Sequence, residues 1–227
     1  MRNNLIKNTV FLLGFFTLFF LVSCVPATSC DGEGKDKCLL EAAKEQEEPQ
    51  LCNKIENENI RTWCYTDVAV QAKDTKLCAY IANSKSVAFC VARIATLTGD
   101  LPLCKAIEES SARDRCLFEL ASAALNASWC TGIRQADYAD DCAYDIAQNR
   151  TAADDCTYVN DEAERNRCYF FIAIDSADWK VCGKITDERA KYCVVSIAIK
   201  TKNIALCDEI ADTTVKKMCK EEVGKKI

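Results

Sequence analysis

The sequence predicts an all-α solenoid, because its cysteines recur at a fixed period and its apolar residues follow helical spacing. Fourteen of the 17 cysteines form seven pairs, and the first cysteines of successive pairs stand 26 residues apart, except for 25 before the last pair. A fixed period of this length is typical of repeat proteins, in which each copy packs against its neighbours. The predicted fold is about seven disulfide-stapled, two-helix repeats of 26 residues, preceded by a truncated N-terminal repeat.

Apolar residues at two fixed positions in each copy predict the two helices. Ile or Val stands three residues after the first cysteine, and Ile, Leu or Val stands four after the second, followed by Ala in all but the last copy. Spacings of three and four place side chains on one face of a helix, and neither half alternates as a strand does. We therefore expect two helices of about ten residues in each copy, which need neighbouring copies to bury their apolar faces.

Short polar residues mark where these helices should begin. A side-chain oxygen at such a position accepts the free N–H groups of the first helical turn. The first helix has Asp or Asn four residues before its cysteine in five copies, and a second set precedes the second helix. The first set is Asp74, Asp100, Asn126, Asp178 and Asn203, and the second is Asn57, Ser84, Ser110, Asp161, Asp187 and Asp212.

Two disulfide schemes fit the cysteine spacing. Pairing between copies, as in Cys64 with Cys78, leaves Cys30 and Cys219 unpaired at opposite ends, although the constant spacing of 14 residues between copies from Cys38 onward favours it. Pairing within copies uses every thiol except Cys24, so parity favours it. That scheme predicts Cys30–Cys38, Cys52–Cys64, Cys78–Cys90, Cys104–Cys116, Cys130–Cys142, Cys156–Cys168, Cys182–Cys193 and Cys207–Cys219.

The N-terminal residues have the pattern of an export signal. Arg2 and Lys7 are basic, and residues 9–22 form an almost unbroken apolar run that ends in small residues. That run is shorter than the roughly 20 residues that cross a bilayer comfortably. Residues 1–23 are therefore predicted to be a cleaved signal peptide, with a retained anchor helix as the alternative.

The end of this run, Leu21-Val22-Ser23-Cys24, resembles the lipobox of bacterial-type lipoproteins. In that family a signal peptidase cuts before the cysteine, whose thiol carries a diacylglyceryl group. The resemblance implies lipid on Cys24 and a chain outside the cytoplasm, in the periplasm or at the cell surface. It divides the mature chain into a lipid-anchored segment with the truncated repeat, 24–50, and the repeat array, 51–227.

Composition excludes several functions. The chain has 17 cysteines and no histidine, which suits an oxidising compartment, and its net charge is −5 without a basic tract, which disfavours nucleic acid. Without histidine there is no Ser–His–Asp triad, and no C-x-x-C pair suggests zinc or thiol redox chemistry. We expect no metal and no cofactor.

Adjacent carboxylates are the remaining catalytic candidates, at Asp140-Asp141, Asp154-Asp155, Glu108-Glu109 and Glu221-Glu222. Neighbours on a helix point in different directions, so we interpret these pairs as caps or solvated side chains. No catalytic residue is predicted, and the protein is not expected to be an enzyme.

Two further patterns concern the surface. Aromatic residues concentrate in the later copies, where they either form a recognition patch or fill space between helices. Basic residues stand three before the second cysteine in alternate copies, either by chance or through duplication of a two-repeat unit, in which case each is predicted to bond acids on the next hairpin. The candidate patch is Tyr144, Tyr169, Phe170, Phe171 and Trp179, and the basic set is Arg61, Arg113, Arg165 and Lys216.

In architecture the array resembles disulfide-stapled helical repeat proteins of the Sel1-like type, and it is similar to cysteine-rich repeat proteins of archaea and bacteria. Solenoids commonly present extended binding surfaces. We therefore expect a monomeric, lipid-anchored binding or scaffold module whose partner is an extracellular protein or an envelope polymer. The alternatives are an envelope enzyme of the glycan-processing type with carboxylates in its groove, and a structural spacer.

Overall fold

A computed structural model describes residues 30–226, and that part of the chain is helical without strands. The predicted signal peptide and Cys24 lie outside the described residues. Eight long helices follow one another: α1 (Lys35–Gln46), α2 (Glu58–Ala72), α3 (Ser84–Thr98), α5 (Ser110–Ala124), α6 (Ala136–Arg150), α7 (Glu162–Ser176), α8 (Arg189–Thr201) and α9 (Thr213–Gly224).

A short helix of six residues precedes each long helix from α2 onward. It is α-helical in α4 (Leu101–Ala106) and a 3₁₀ helix elsewhere. We number the repeats 0 to 7: repeat 0 contains α1, and each later repeat contains one short helix and the long helix after it. The 3₁₀ helices are Pro49–Lys54, Thr75–Tyr80, Ala127–Gly132, Ala153–Tyr158, Trp179–Lys184 and Ile204–Glu209.

The expectation of two equal helices is wrong, because the β-branched residue after the short helix is extended. Ile55 has φ −78° and ψ 125°, and its N–H donates to the Cys52 carbonyl at 3.2 Å, which closes a 3₁₀ turn. Its side chain is fully buried. A β-branched side chain favours the extended backbone, so the first helix stops there and the second takes up to 15 residues.

The predicted caps of the short helices are confirmed. Asp74, for example, accepts the N–H of Lys76 at 2.9 Å, and Asp100, Asn126, Asp178 and Asn203 cap in the same way.

Among the long helices, Asn57, Asp161 and Asp212 act as predicted. The prediction is wrong for Ser84 and Ser110, because the residue before each supplies the cap. Asn83 begins α3 and Glu109 begins α5. In α8, Asp187 accepts the N–H of Arg189 at 2.9 Å, although it stands two residues before the helix.

Each long helix from α1 to α8 ends with one residue in the left-handed conformation. Lys73 has φ 54°, and the N–H of Asp74 donates back to the carbonyl of Ala69 at 3.0 Å. This closes the helix with a Schellman-type turn. The acceptor is the recurrent alanine, which is fully buried in each of repeats 0 to 6. Gly99 occupies the left-handed position after α3, and six repeats place other residues there: Glu47, Lys73, Leu125, Thr151, Ala177 and Lys202.

Eight disulfides each join two cysteines of the same copy, with Cα–Cα distances of 5.5 to 5.8 Å. They link the short helix to the long helix beside it, except in repeat 0, where Cys30 precedes α1. The bridges are Cys30–Cys38, Cys52–Cys64, Cys78–Cys90, Cys104–Cys116, Cys130–Cys142, Cys156–Cys168, Cys182–Cys193 and Cys207–Cys219.

The hydrophobic core divides at α3. Cys90 and Ile94 belong to the cluster that includes repeats 0 to 2, whereas Ala92 and Ala95 belong to the cluster that continues to repeat 7. Both clusters reach α3, and Val91 packs against each of them. The division therefore runs through α3 of repeat 2, and the second cluster continues across the interface between repeats 2 and 3 (the 2–3 interface).

Candidate functional site

A side chain two residues before the second cysteine connects neighbouring repeats. Asp140 on α6 accepts the backbone N–H of Asn160 at 2.6 Å and that of Asp161 at 2.9 Å, both in the loop of the next repeat. These N–H groups belong to the start of α7, where a helix has no internal acceptors. We call a residue with this role a clamp residue.

Three other interfaces contain the same clamp. Asp36 accepts from Glu56 at 3.0 Å and Asn57 at 2.9 Å. The N–H groups of Asn57 and then Glu56 hold the pKa of Asp36 below its usual range. Asp114 accepts from Arg134 and Gln135 at 3.2 and 3.1 Å, and Asn166 accepts from Thr186 at 3.1 Å.

The 1–2, 2–3 and 6–7 interfaces carry Thr62, Ala88 and Lys191 at the clamp position. No hydrogen bond within residues 30–226 joins these side chains to the following loop. At the 2–3 interface the preceding residue, Val87, is apolar as well. A solvent-open hollow of about 500 Å³ lies there, lined by Val87, Ala88, Val91, Leu103, Ala106 and Ile107, with Ser84, Glu108 and Glu109 at its edge.

The prediction that the basic set bonds acids on the next hairpin is wrong. Arg61 donates to the carbonyl of Ile55 at 2.9 Å, and Arg165 donates to those of Val159 and Asn160 at 2.8 and 2.9 Å. The extended residue after each short helix leaves its carbonyl free, so the basic side chain turns back onto its own repeat. Lys216 similarly donates to the Asp208 carbonyl at 2.9 Å.

Arg113 departs from this pattern. It is 3% exposed and donates to Asp114 at 2.9 Å, while its Nη1 atom has no acceptor within the described residues. Asp114 thus accepts hydrogen bonds both from the buried Arg113 on its own helix and from the loop of repeat 4.

Each adjacent pair contains at least one carboxylate with a structural partner. Asp155 accepts from Arg150 at 2.7 Å, and Asp154 accepts from Lys184 at 2.6 Å. Glu109 caps α5, Asp140 is a clamp residue, and Glu222 accepts from Lys225 at 2.6 Å. Within residues 30–226, no group of three or more acidic or cysteine side chains is placed to hold a metal ion.

The five aromatic residues of the predicted patch face different surroundings. Tyr169 is buried, with Lys184 5.6 Å from its ring centre, and Trp179 packs half-buried against the core. Phe171 is 41% exposed and meets Phe170 edge-on at 5.6 Å. The guanidinium of Arg167, which sequence reasoning did not include, lies 5.2 Å from the ring centre of Tyr144 and 5.9 Å from that of Phe171.

Arg167 and Phe171 belong to a strip that crosses every long helix. We define the strip as the residues one before and three after the second cysteine of each copy. These positions lie one helical turn apart and share a face. The first row is Lys37, Trp63, Phe89, Arg115, Asp141, Arg167, Tyr192 and Met218, and the second is Glu41, Asp67, Arg93, Glu119, Asp145, Phe171, Ser196 and Glu222.

Most of the strip is exposed and its residues vary, whereas the flanking core positions are buried and nearly constant. Its half-buried members are Asp67, Phe89, Glu119, Ser196 and Glu222. Trp63 is 61% exposed and Tyr192 47%. Neighbouring repeats are linked along it, because Arg93 donates to Asp67 at 3.1 Å. Partial burial, and then the charge of Asp141, raise the pKa of Asp145. The strip therefore carries residue types that dominate binding energy at protein interfaces, namely Trp, Tyr and Arg.

Comparison of the chain with protein-family models, curated proteins and solved structures finds no match. The eight disulfides indicate an oxidising environment outside the cytoplasm. Among the helices of the described residues, none has the length and apolar character needed to cross a membrane.

Proposed function

We propose that the protein is an exported lipoprotein, anchored through Cys24, that binds another protein of the cell exterior along its strip. The observation that carries this proposal is the exposure of Trp63, Phe171 and Tyr192 on one repeating face. Large aromatic side chains left in water cost free energy unless a partner covers them. Their fixed register gives an extended partner contact points at repeats 1, 5 and 6 of the same face.

The strip also offers specificity through charge. Acidic and basic residues alternate along it, from Asp67 and Arg93 to Arg115 and Glu119. Exposed ion pairs of this kind add little stability, so their contribution to a folded array is small. They do fix the register of a partner that carries the complementary charges.

Site-specific photo-crosslinking tests the binding face. A photoreactive amino acid replaces Trp63 or Tyr192 on the strip, and in matched controls it replaces Tyr80 or Tyr158, which are exposed aromatic residues on short helices. We expect one discrete adduct from the strip positions in the native envelope and none from the controls. Equal adducts at all four positions contradict the strip as the binding face, and no adducts at any position favour a structural spacer.

Anchoring is tested separately. Mass spectrometry of the mature protein should find a chain beginning at Cys24 with a diacylglyceryl mass. Cys24→Ser should move the protein from the membrane fraction to the soluble fraction. An intact residue 1 with an unmodified thiol contradicts the lipoprotein assignment.

A further inference from the structure

Two backbone donors at the 2–3 interface lack the clamp acceptor that their counterparts have at the 0–1, 3–4 and 4–5 interfaces. The N–H groups of Glu108 and Glu109 stand where Asn160 and Asp161 donate to Asp140 in the 4–5 interface. In the described part of the chain neither Glu108 nor Glu109 donates its N–H to another backbone group. The repeat register directs both toward Ala88, whose methyl group cannot accept a hydrogen bond.

The hollow beside these donors has the size and lining of a ligand site. Its volume of about 500 Å³ falls within the roughly 300–1,000 Å³ of small-molecule pockets. Val87, Val91, Leu103 and Ile107 supply apolar walls, and Glu108 and Glu109 line the same hollow. Such an arrangement suits a molecule with an apolar body and a head that accepts hydrogen bonds.

The acidic side chains at the edge do not prevent a carboxylate from binding. Asp36 already binds its loop next to Glu56, and Asp140 binds next to Asp161. The Glu109 carboxylate is occupied, because it accepts the N–H of Ala112 at 2.6 Å and the hydroxyl of Ser111 at 2.8 Å.

A hollow of similar volume, about 510 Å³, lies at the 0–1 interface and differs from the 2–3 hollow in its lining. It is lined by charged residues that include Lys35 and Glu56, and the clamp residue Asp36 already holds the loop N–H groups. The 2–3 hollow therefore differs in both the free donors and the apolar walls.

We propose that the 2–3 interface binds a medium-chain apolar carboxylate, of the fatty-acid class. The carboxylate accepts the N–H groups of Glu108 and Glu109, where a clamp residue would otherwise stand, and the chain lies against Val87, Val91 and Leu103. This site does not involve the strip, so its test is independent of the test of the proposed function.

Binding of decanoate to the purified full chain, measured by calorimetry and by the ¹⁵N signals of Glu108 and Glu109, tests the proposal. We expect both signals to shift with decanoate. Ala88→Asp supplies the missing clamp and should raise the Kd by at least about tenfold, the loss expected when charge-assisted hydrogen bonds are replaced. Thr62→Asp installs the same carboxylate at the 1–2 interface, outside the hollow, and should leave the Kd within about twofold.

Two further measurements can contradict the proposal. Val91→Trp fills the hollow while leaving the donors free, and it should also weaken binding. Decyltrimethylammonium has the same chain with a head that accepts no hydrogen bond, and it should bind at least about tenfold more weakly. If it binds as tightly as decanoate, the acids at the edge govern binding and the proposal is wrong; unshifted Glu108 and Glu109 signals overturn it as well.

Discussion

The 4–5 and 2–3 interfaces differ at the two positions that stand three and two residues before the second cysteine. At the 4–5 interface Ala139 and Asp140 precede the second cysteine, and Asp140 holds the loop of the next repeat. At the 2–3 interface Val87 and Ala88 occupy these positions, the loop donors are free, and a hollow remains. Buried Ile, Ala and cystine residues are common to both interfaces, so the array can remain assembled where an interface has no clamp.

The largest expected effect comes from removing a clamp residue that also neutralises a buried cation. Asp114→Ala leaves Arg113, which is 3% exposed, without its partner. Removing one member of a buried ion pair costs about 3–5 kcal/mol. Urea unfolding should show that loss in the free energy of unfolding, whereas Asp114→Asn should recover part of it. A loss below about 1 kcal/mol would mean that the 3–4 clamp is not needed.

Removal of a clamp residue that has no buried cation beside it should cost less stability. Asp140→Ala removes the acceptor of two N–H groups, and hydrogen bonds to a charged group contribute about 1.5–3 kcal/mol. Asp141→Ala, at the exposed neighbouring position, is the matched control and should change stability by less than about 0.5 kcal/mol. Equal losses for the two variants would remove the distinction between clamped and open interfaces.

The residues that end the long helices at the two interfaces should have smaller effects on stability. Thr151 ends α6 with φ 51°, whereas Gly99 ends α3, beside the open interface, with φ 72°. A left-handed backbone costs a residue with a Cβ atom about 1 kcal/mol relative to glycine. Thr151→Gly should stabilise the protein by about that amount in urea unfolding, and Gly99→Thr should destabilise it similarly. The opposite sign in either variant would show that the end of that helix is not strained.

Acid should weaken the 0–1 clamp. The pKa of Asp36 is lower in the folded state than its ordinary value, so its contribution is present above the ordinary carboxylate pKa and is lost as the pH falls through the folded value. Asp36→Asn imitates the amide clamp of Asn166 and cannot titrate. Between pH 7 and pH 3 its melting temperature should therefore fall less than that of the wild type. Parallel curves would show that Asp36 does not contribute to the acid sensitivity.

The repeat, the caps of the short helices and the buried apolar positions could be predicted, because each depends on spacing within one copy. Interactions between copies were harder to predict. Asp36, Asp114 and Asp140 share a column when the copies are aligned, yet Asp140-Asp141 looked like a solvated pair. Spacing alone does not reveal which helix face the next repeat covers. The unequal helices were missed because the same Ile that signals a helical stripe also ends the short helix in an extended conformation.

Hydrogen exchange of the loop amides tests the clamp most directly. The N–H groups of Asn160 and Asp161 have acceptors in Asp140, so they should exchange slowly, whereas those of Glu108 and Glu109 should exchange fast in the ligand-free protein. Ala88→Asp should slow the exchange of Glu108 and Glu109 alone. Equal protection of the two loops in the wild type, or no change in the variant, would contradict the distinction between the clamped 4–5 interface and the unclamped 2–3 interface.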